Sequence, residues 1–250
     1  MADVFEPKFY REWASGSRLE SFAVHVEETD LAVKASASVR AETKELVLKY
    51  RRQLTDYACS HPRFLTSFEP VETESDAPSI ARLMAEAGSE YSVGPMAAVA
   101  GAMAELVGED LLRLLSDRGI QPPEVIVENG GDCFIKTAQP AIVSLYAGPQ
   151  SPFSGKLKLS IDTAGGPRGL CTSSGTVGHS VSFGKADAVV VLAASAALAD
   201  AAATAIGNLI REPDVIREVI ESEKKRQKLL GLMIAMGRHL GAWGELEIVR

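Results

Sequence analysis

The sequence has few cysteines, and none of them is spaced like a ligand pair or a disulfide framework. Cys59, Cys133 and Cys171 are widely separated among 250 residues and form no Cys-x-x-Cys pair. This spacing argues against a cysteine-built zinc site, and it is typical of thiols kept in a reducing compartment. The first residues also contain no apolar segment like that of a signal peptide. We therefore predict a cytoplasmic location.

The sequence also lacks a basic excess and a long uninterrupted apolar run. Lys and Arg number 26 against 33 Asp and Glu, which gives a net charge of -7 and disfavours nucleic acid as a partner. The most apolar stretch, 186–206, contains Asp187 and Asp200 and is rich in alanine, which predicts a buried strand and helix rather than a membrane span. The partner these features favour is a small molecule, with no nucleic acid and no membrane. These features are compatible with a homo-oligomer as well.

The pattern of apolar residues predicts clusters of strands separated by helices. Alternation over 20–35 predicts a β-hairpin, and three- and four-residue spacings predict helices between 41 and 117. Short apolar runs between 125 and 192 predict strands, and two helices and two or three further strands follow. This order predicts an α+β fold with mostly antiparallel sheets. We expect one domain over 1–250, built of two pseudo-repeated halves at about 1–120 and 121–250, although no sequence repeat is visible.

The first segment with chemical potential is Asn129-Gly130-Gly131-Asp132, directly after an apolar run. Two glycines at a strand end let the backbone approach a ligand closely, and the flanking side chains add polar groups. We predict these four residues as cofactor-binding. The alternative is a tight hairpin turn, for which Asn-Gly is a strong signal.

The second segment runs from Cys171 to Ser180 and is rich in hydroxyl groups and glycine. Such a loop can present successive N–H groups to an anion. We predict that it contacts the cofactor through Ser173, Ser174, Gly175 and Thr176. His179 is the candidate general acid or base, because histidine titrates near neutral pH. The alternative is a polar surface loop.

The third segment is a helix on which Asp200 and Thr204 lie four residues apart, on one face, among alanines. A carboxylate on an apolar helix needs water, a partner or a cation. Carboxylate and hydroxyl oxygens suit Mg²⁺, so these two residues are the predicted metal ligands. Alternatively, Asp200 balances the helix dipole and Thr204 bonds to the helix backbone.

In this order the three segments resemble the motifs of the FAD:protein FMN transferases, the ApbE family. The sequence is identified as a member of an uncharacterised ApbE-like family of bacteria and archaea, over almost its whole length. The matching blocks are Phe9–Arg11, Glu128–Asp132, Cys171–Gly184, Ala199–Asn208 and Leu240–Gly244. The resemblance implies a duplicated T-fold, a cleft for FAD, and Mg²⁺ held partly by Asp200 and Thr204. It also implies transfer of FMN to a threonine hydroxyl of a target protein.

The sequence departs from the transferases at two positions, and this keeps more than one function open. His179 is followed by Ser180-Val181-Ser182-Phe183-Gly184, which lacks the Asp-Pro pair that follows this histidine in the transferases, and Ala100 precedes Gly101 where they have lysine. One hypothesis is a Mg-dependent enzyme handling FAD or a related phosphorylated nucleotide by flavin or phosphoryl transfer. The other is a non-catalytic flavin- or nucleotide-binding protein that has lost transferase activity. A different chemistry through Cys171 or Ser174 is a third.

Overall fold

The structure is a computed structural model that describes residues 18–148, 151–174 and 184–249. Its helices are α1 (Arg40–Ser60), α2 (Arg63–Thr66), α3 (Ser79–Tyr91), α4 (Val99–Asp117), α5 (Ala196–Leu209) and α6 (Ile216–Arg226). The first strands are β1 (Glu20–Val26), β2 (Thr29–Ala35), β3 (Val125–Asn129), β4 (Asp132–Lys136), β5 (Ala141–Ser144) and β6 (Lys158–Ile161). The later strands are β7 (Arg168–Ser173), β8 (Ala188–Ala193), β9 (Gly231–Met236), β10 (His239–Gly244) and β11 (Glu247–Val249).

Eight of these strands form one antiparallel sheet in the order β1-β2-β3-β4-β7-β8-β9-β10. Helices come between β2 and β3 and again between β8 and β9, so each half of the sheet contains two strands, helices and two strands. Strands β11, β6 and β5 form a second, three-stranded antiparallel sheet. The predicted α+β fold with antiparallel sheets is confirmed. The duplication stays a prediction, which the order of elements favours.

Strands β4, β7, β8 and β9 of the large sheet are buried on both faces because their side chains alternate between two cores. Side chains such as Phe134, Val191 and Ile234 face the helices, and their neighbours, such as Ile135 and Val190, face the small sheet. Strand β8 is buried at every position, which is why it reads as a continuous apolar run. The core on the helix side of the sheet therefore brings β4 and β7 together with α4 and α5.

Helices α4 and α5 pack closely because small residues face each other, as the alanine and glycine positions of α4 predict. A Cβ atom on Gly101 would lie 2.2 Å from the carbonyl oxygen of Ala196, and one on Gly169 would lie 2.3 Å from the Cα of Ala196. Any side chain larger than hydrogen at these glycines would force the helices and the sheet apart. The first turns of α4 and α5 therefore lie against each other, and the first turn of α5 lies against the start of β7.

The boundaries of several elements differ from those that the sequence predicts. The break at Glu28–Asp30 predicts the turn of the first hairpin, but the turn residues are Glu27 and Glu28. The four acidic residues and Pro70 over 64–76 predict a connector, but its first residues belong to α2. The charged helix predicted over 213–229 is a short 3-10 turn followed by α6, which ends before Gln227 in a left-handed conformation (φ 56°). Glutamine at this position does not indicate the end of a helix in the sequence, as glycine would. In the described part of the chain, no helix is long and apolar enough to span a membrane.

Candidate functional site

The first motif forms the turn between β3 and β4. Asn129 and Asp132 are paired across the hairpin, so Gly130 and Gly131 are its two turn residues, with φ of 67° and 108°. Both angles lie in the left-handed region that favours glycine. The two glycines thus form the tight hairpin turn that is the alternative interpretation of this motif. Their predicted contact with a cofactor stays a proposal.

The polar side chains of this hairpin reach the neighbouring elements. The Nδ2 of Asn129 donates a hydrogen bond to the carbonyl of Ala100 in α4 at 3.2 Å. The N–H of Gly131 donates to the Oε1 of Glu128 at 2.8 Å. The turn is therefore tied to the first residues of α4 and to its own strand.

Asp132 lies opposite Cys171 in the register of β4 and β7. Burial raises the pKa of Asp132 well above its usual value, the negative charge of Asp200 raises it further, and a hydrogen bond with Cys171 acts in the opposite direction. Burial, followed by the charges of Asp132 and Asp200, also raises the pKa of the Cys171 thiol. The Sγ of Cys171 donates to the carbonyl of Ala196 at 3.3 Å. A neutral, buried thiol is a poor nucleophile, which argues against thiol chemistry at this position.

Asp200, from the third motif, faces the first turn of α4. The N–H of Gly101 donates to its Oδ2 at 2.9 Å. Burial raises the pKa of Asp200 to about 7, although the N–H groups of Gly101 and Ala100 lower it. The alternative that Asp200 balances a helix dipole is thus partly right, but the helix is α4 and not its own helix α5. Asp132 and Asp200 come close enough for the charge of one to oppose ionisation of the other.

The other predicted residues lie farther along the same elements or outside the described part of the chain. Thr204 is half-buried one turn beyond Asp200 on α5. Ser173 ends β7, and its Oγ would lie 3.6 Å from a Cβ placed on Gly207. Ser174 follows it. The remaining three predicted residues, Gly175, Thr176 and His179, lie outside the described residues.

Glu105 is a buried contact of this region to which the motifs do not point. Its Oε2 accepts hydrogen bonds from the hydroxyl of Ser195 at 2.7 Å and from the N–H of Ala197 at 2.9 Å. Burial raises the pKa of Glu105, whereas these bonds lower it. Because the carboxylate occupies the N-terminus of α5, that end is not open to a phosphate. The sequence signals only the cap residue Ser195, whose Oγ accepts from Leu198.

The donor atoms around Asp132 and Asp200 suit a hard cation. Among the ion pairs formed by the described residues, none involves either carboxylate. The described residues contain no group of three or more His, Cys, Asp or Glu that could hold a metal. Mg²⁺ commonly uses one or two carboxylates and completes its shell with water and ligand phosphates. The pair, with the Thr204 hydroxyl, therefore fits Mg²⁺ better than a metal that requires a full protein ligand set.

The fold is that of the solved ApbE proteins. The apo form of the Pseudomonas stutzeri flavinyl transferase ApbE superposes with a TM-score of 0.60 at 14% identity, covering 90% of this chain and 94% of that one. The ApbE protein of Thermotoga maritima gives 0.56 at 12% identity, covering 93% and 97%. At these identities the likeness shows the fold alone.

Sequence comparison gives the family. The family model described as "AbpE bacteria" matches residues 11–237, so the chain belongs to this ApbE-like family. A UPF0280 protein of Methanocaldococcus jannaschii is 40% identical over 232 residues, covering 90% of this chain and 91% of its own. Another UPF0280 protein, from Methanococcus aeolicus, is 42% identical over 207 residues, covering 81% of each.

Proposed function

We propose that the protein binds FAD or a related phosphorylated nucleotide together with Mg²⁺, and that it catalyses flavin or phosphoryl transfer. The observation that carries the proposal is the pair of carboxylates, Asp132 and Asp200. Asp132 lies opposite Cys171, whose Sγ donates to Ala196 at the start of α5, and the charge of Asp200 raises the pKa of Asp132. A cation would relieve this repulsion. The flavinyl transferase activity named for the Pseudomonas stutzeri protein of the same fold supports the choice of a flavin nucleotide.

The predicted site residues would contact different parts of the metal and the nucleotide. Asp200, Thr204 and Asp132 would hold Mg²⁺, which, when bound, supplies positive charge beside the diphosphate. The hydroxyl groups of Ser173 and Ser174 and the backbone around Gly175 would bind phosphate oxygens. The hairpin from Asn129 to Asp132 would form another wall of the cleft, and Thr176 would extend the hydroxyl loop.

His179 is the residue that we assign to proton transfer. An imidazole can give a proton to a leaving oxygen or take one from an attacking hydroxyl near neutral pH. Replacing it should lower turnover by about 10²–10⁴-fold and leave nucleotide affinity nearly unchanged, because a general acid or base acts mainly in the transition state.

The binding half of the proposal is tested by thermal unfolding with FAD or ADP, with and without Mg²⁺. Saturation at about 100 times Kd should stabilise the wild type by about 2.7 kcal/mol, and the gain should depend on the metal. Asp200→Asn should abolish the metal-dependent part. Asp187→Asn is the matched control, because Asp187 also accepts one backbone N–H, from Gly237 at 2.9 Å. A wild type without a metal-linked shift, or a control that loses it equally, would count against the site.

The catalytic half is tested by incubating the protein with FAD and Mg²⁺ and measuring AMP and FMN by chromatography. Slow release that disappears in His179→Ala supports transfer chemistry. The second candidate, a non-catalytic binder, is favoured by Ala100, which leaves no cation beside Gly101 where the resemblance places a lysine. Tight FAD binding without turnover, in wild type and variant alike, would identify the binder.

A further inference from the structure

The large sheet ends at β10, and this edge lacks the features that keep edge strands apart. The strand contains no proline, lysine or carboxylate, its register with β9 has no bulge, and Leu240 is 38% exposed. Edge strands are commonly blocked by charged side chains, proline or bulges, because their open peptide groups pair readily with another strand. In the part of the chain that the structure describes, no strand pairs with the outer side of β10, so this edge is open to strand addition.

The alternation of hydrogen bonds along the β9–β10 hairpin shows which peptide groups of β10 point away from β9. His239 pairs with Met236 around a two-residue turn, and residues that close such a turn exchange both of their hydrogen bonds. At the other end, the N–H of Glu245 donates to the carbonyl of Leu230 at 2.8 Å, which keeps the same alternation. Three residues of β10 therefore direct both peptide groups away from the sheet: Leu240, Ala242 and Gly244.

The opposite edge of the sheet, β1, is protected differently. The guanidinium of Arg40 donates to the carbonyl of Ala23 at 2.8 Å and lies over the ring of Phe22. An exposed carboxylate, Glu20, begins the strand. The contrast indicates that β10 is the edge able to accept a strand.

We propose that β10 is a dimerisation edge at which the β10 strand of a second copy adds in antiparallel orientation. The basic residues Arg238 and His239 lie at the start of the strand. Two acidic residues follow its end: Glu245, whose exposed carboxylate lies 3.7 Å from Arg168 of its own chain, and Glu247. A two-fold axis near Ala242 sets the basic start of each strand beside the acidic end of the other. This self-complementarity favours a second copy over an unrelated peptide.

Ala242→Pro tests the edge directly. Proline removes the outward N–H and its ring obstructs a partner strand, but the bonds to β9 belong to the neighbouring residues. Ala242→Ser is the matched control, since it retains the N–H. Sedimentation equilibrium should give the wild type and the control a mass of twice 26.6 kDa at high concentration. Ala242→Pro should raise the dissociation constant at least about tenfold with an unchanged circular dichroism spectrum.

Arg238→Glu provides a second test. It should leave the fold unchanged, because Arg238 lies in an exposed turn. It sets acid beside acid at both ends of the interface, so it should weaken the dimer most at low salt, and added salt should strengthen the variant dimer. A wild type that stays at 26.6 kDa up to about 200 µM would overturn the proposal. A dimer that neither Ala242→Pro nor Arg238→Glu weakens would overturn it as well.

Discussion

Replacing Asp200 by asparagine should stabilise the metal-free protein at high pH, although it removes a residue of the candidate site. The folded state raises the pKa of this carboxyl from 3.8 to about 7, so ionising it opposes folding. Asparagine has almost the same shape and can still accept the hydrogen bond from the N–H of Gly101. It also removes the charge that raises the pKa of Asp132.

The sign and size of the effect follow from proton linkage. Between pH 4 and 7 the folded wild type binds the Asp200 proton more tightly than the unfolded chain does. Its free energy of unfolding therefore falls as pH rises through this range and levels off above about 7. Each tenfold change in proton affinity corresponds to about 1.4 kcal/mol, which sets an upper limit of about 4 kcal/mol. Because Asp200 is only half-buried, water screens the charge, and we expect about 2 kcal/mol.

Urea unfolding in the presence of EDTA, at pH 5 and pH 8, measures this difference. Asp200→Asn should gain stability over the wild type at pH 8 and little at pH 5, and Asp187→Asn should not reproduce the pattern. Addition of Mg²⁺ at pH 8 should then stabilise the wild type but not Asp200→Asn. The reasoning fails if Asp200→Asn is less stable than the wild type at pH 8, or if the difference is equal at the two pH values.

Substitutions at three further positions test close packing and buried hydrogen bonds, each by urea unfolding at pH 7. Gly101→Ala should cost about 1–3 kcal/mol, because its Cβ would lie 2.2 Å from a backbone oxygen of α5; an unchanged stability would mean that α4 and α5 have room to separate. Glu105→Ala should cost about 2 kcal/mol by leaving the N–H of Ala197 without its acceptor, whereas Glu105→Gln should cost less than half of that. Tyr91→Phe should cost about 1–2 kcal/mol, because the hydroxyl donates to the buried carboxylate of Glu223 at 3.0 Å; no loss would show that another donor replaces it.

The sequence predicts elements well where one physical signal decides the structure. The alternation in 20–35 specifies a half-buried hairpin, and the continuous apolar run of β8 specifies a strand buried on both faces. It fails where a stop depends on tertiary contacts. Gln227 ends α6 in a left-handed conformation without glycine or proline, beside Lys228 and Arg226, which both contact Glu90 of α3. No local pattern encodes that contact.

The candidate site shows the same division between local and long-range information. Residue types and spacing single out Asp132 and Asp200 separately, but only the sheet order β3-β4-β7-β8 brings a hairpin end and a helix face together. The close approach of α4 and α5 at Gly101 then decides the chemistry, because it partly buries Asp200 and supplies the N–H that binds it. Gly101 is thus both a packing position between the two helices and the donor to this carboxylate. A cation site built this way binds its metal more tightly as pH rises through 7, because the metal competes with a proton for Asp200.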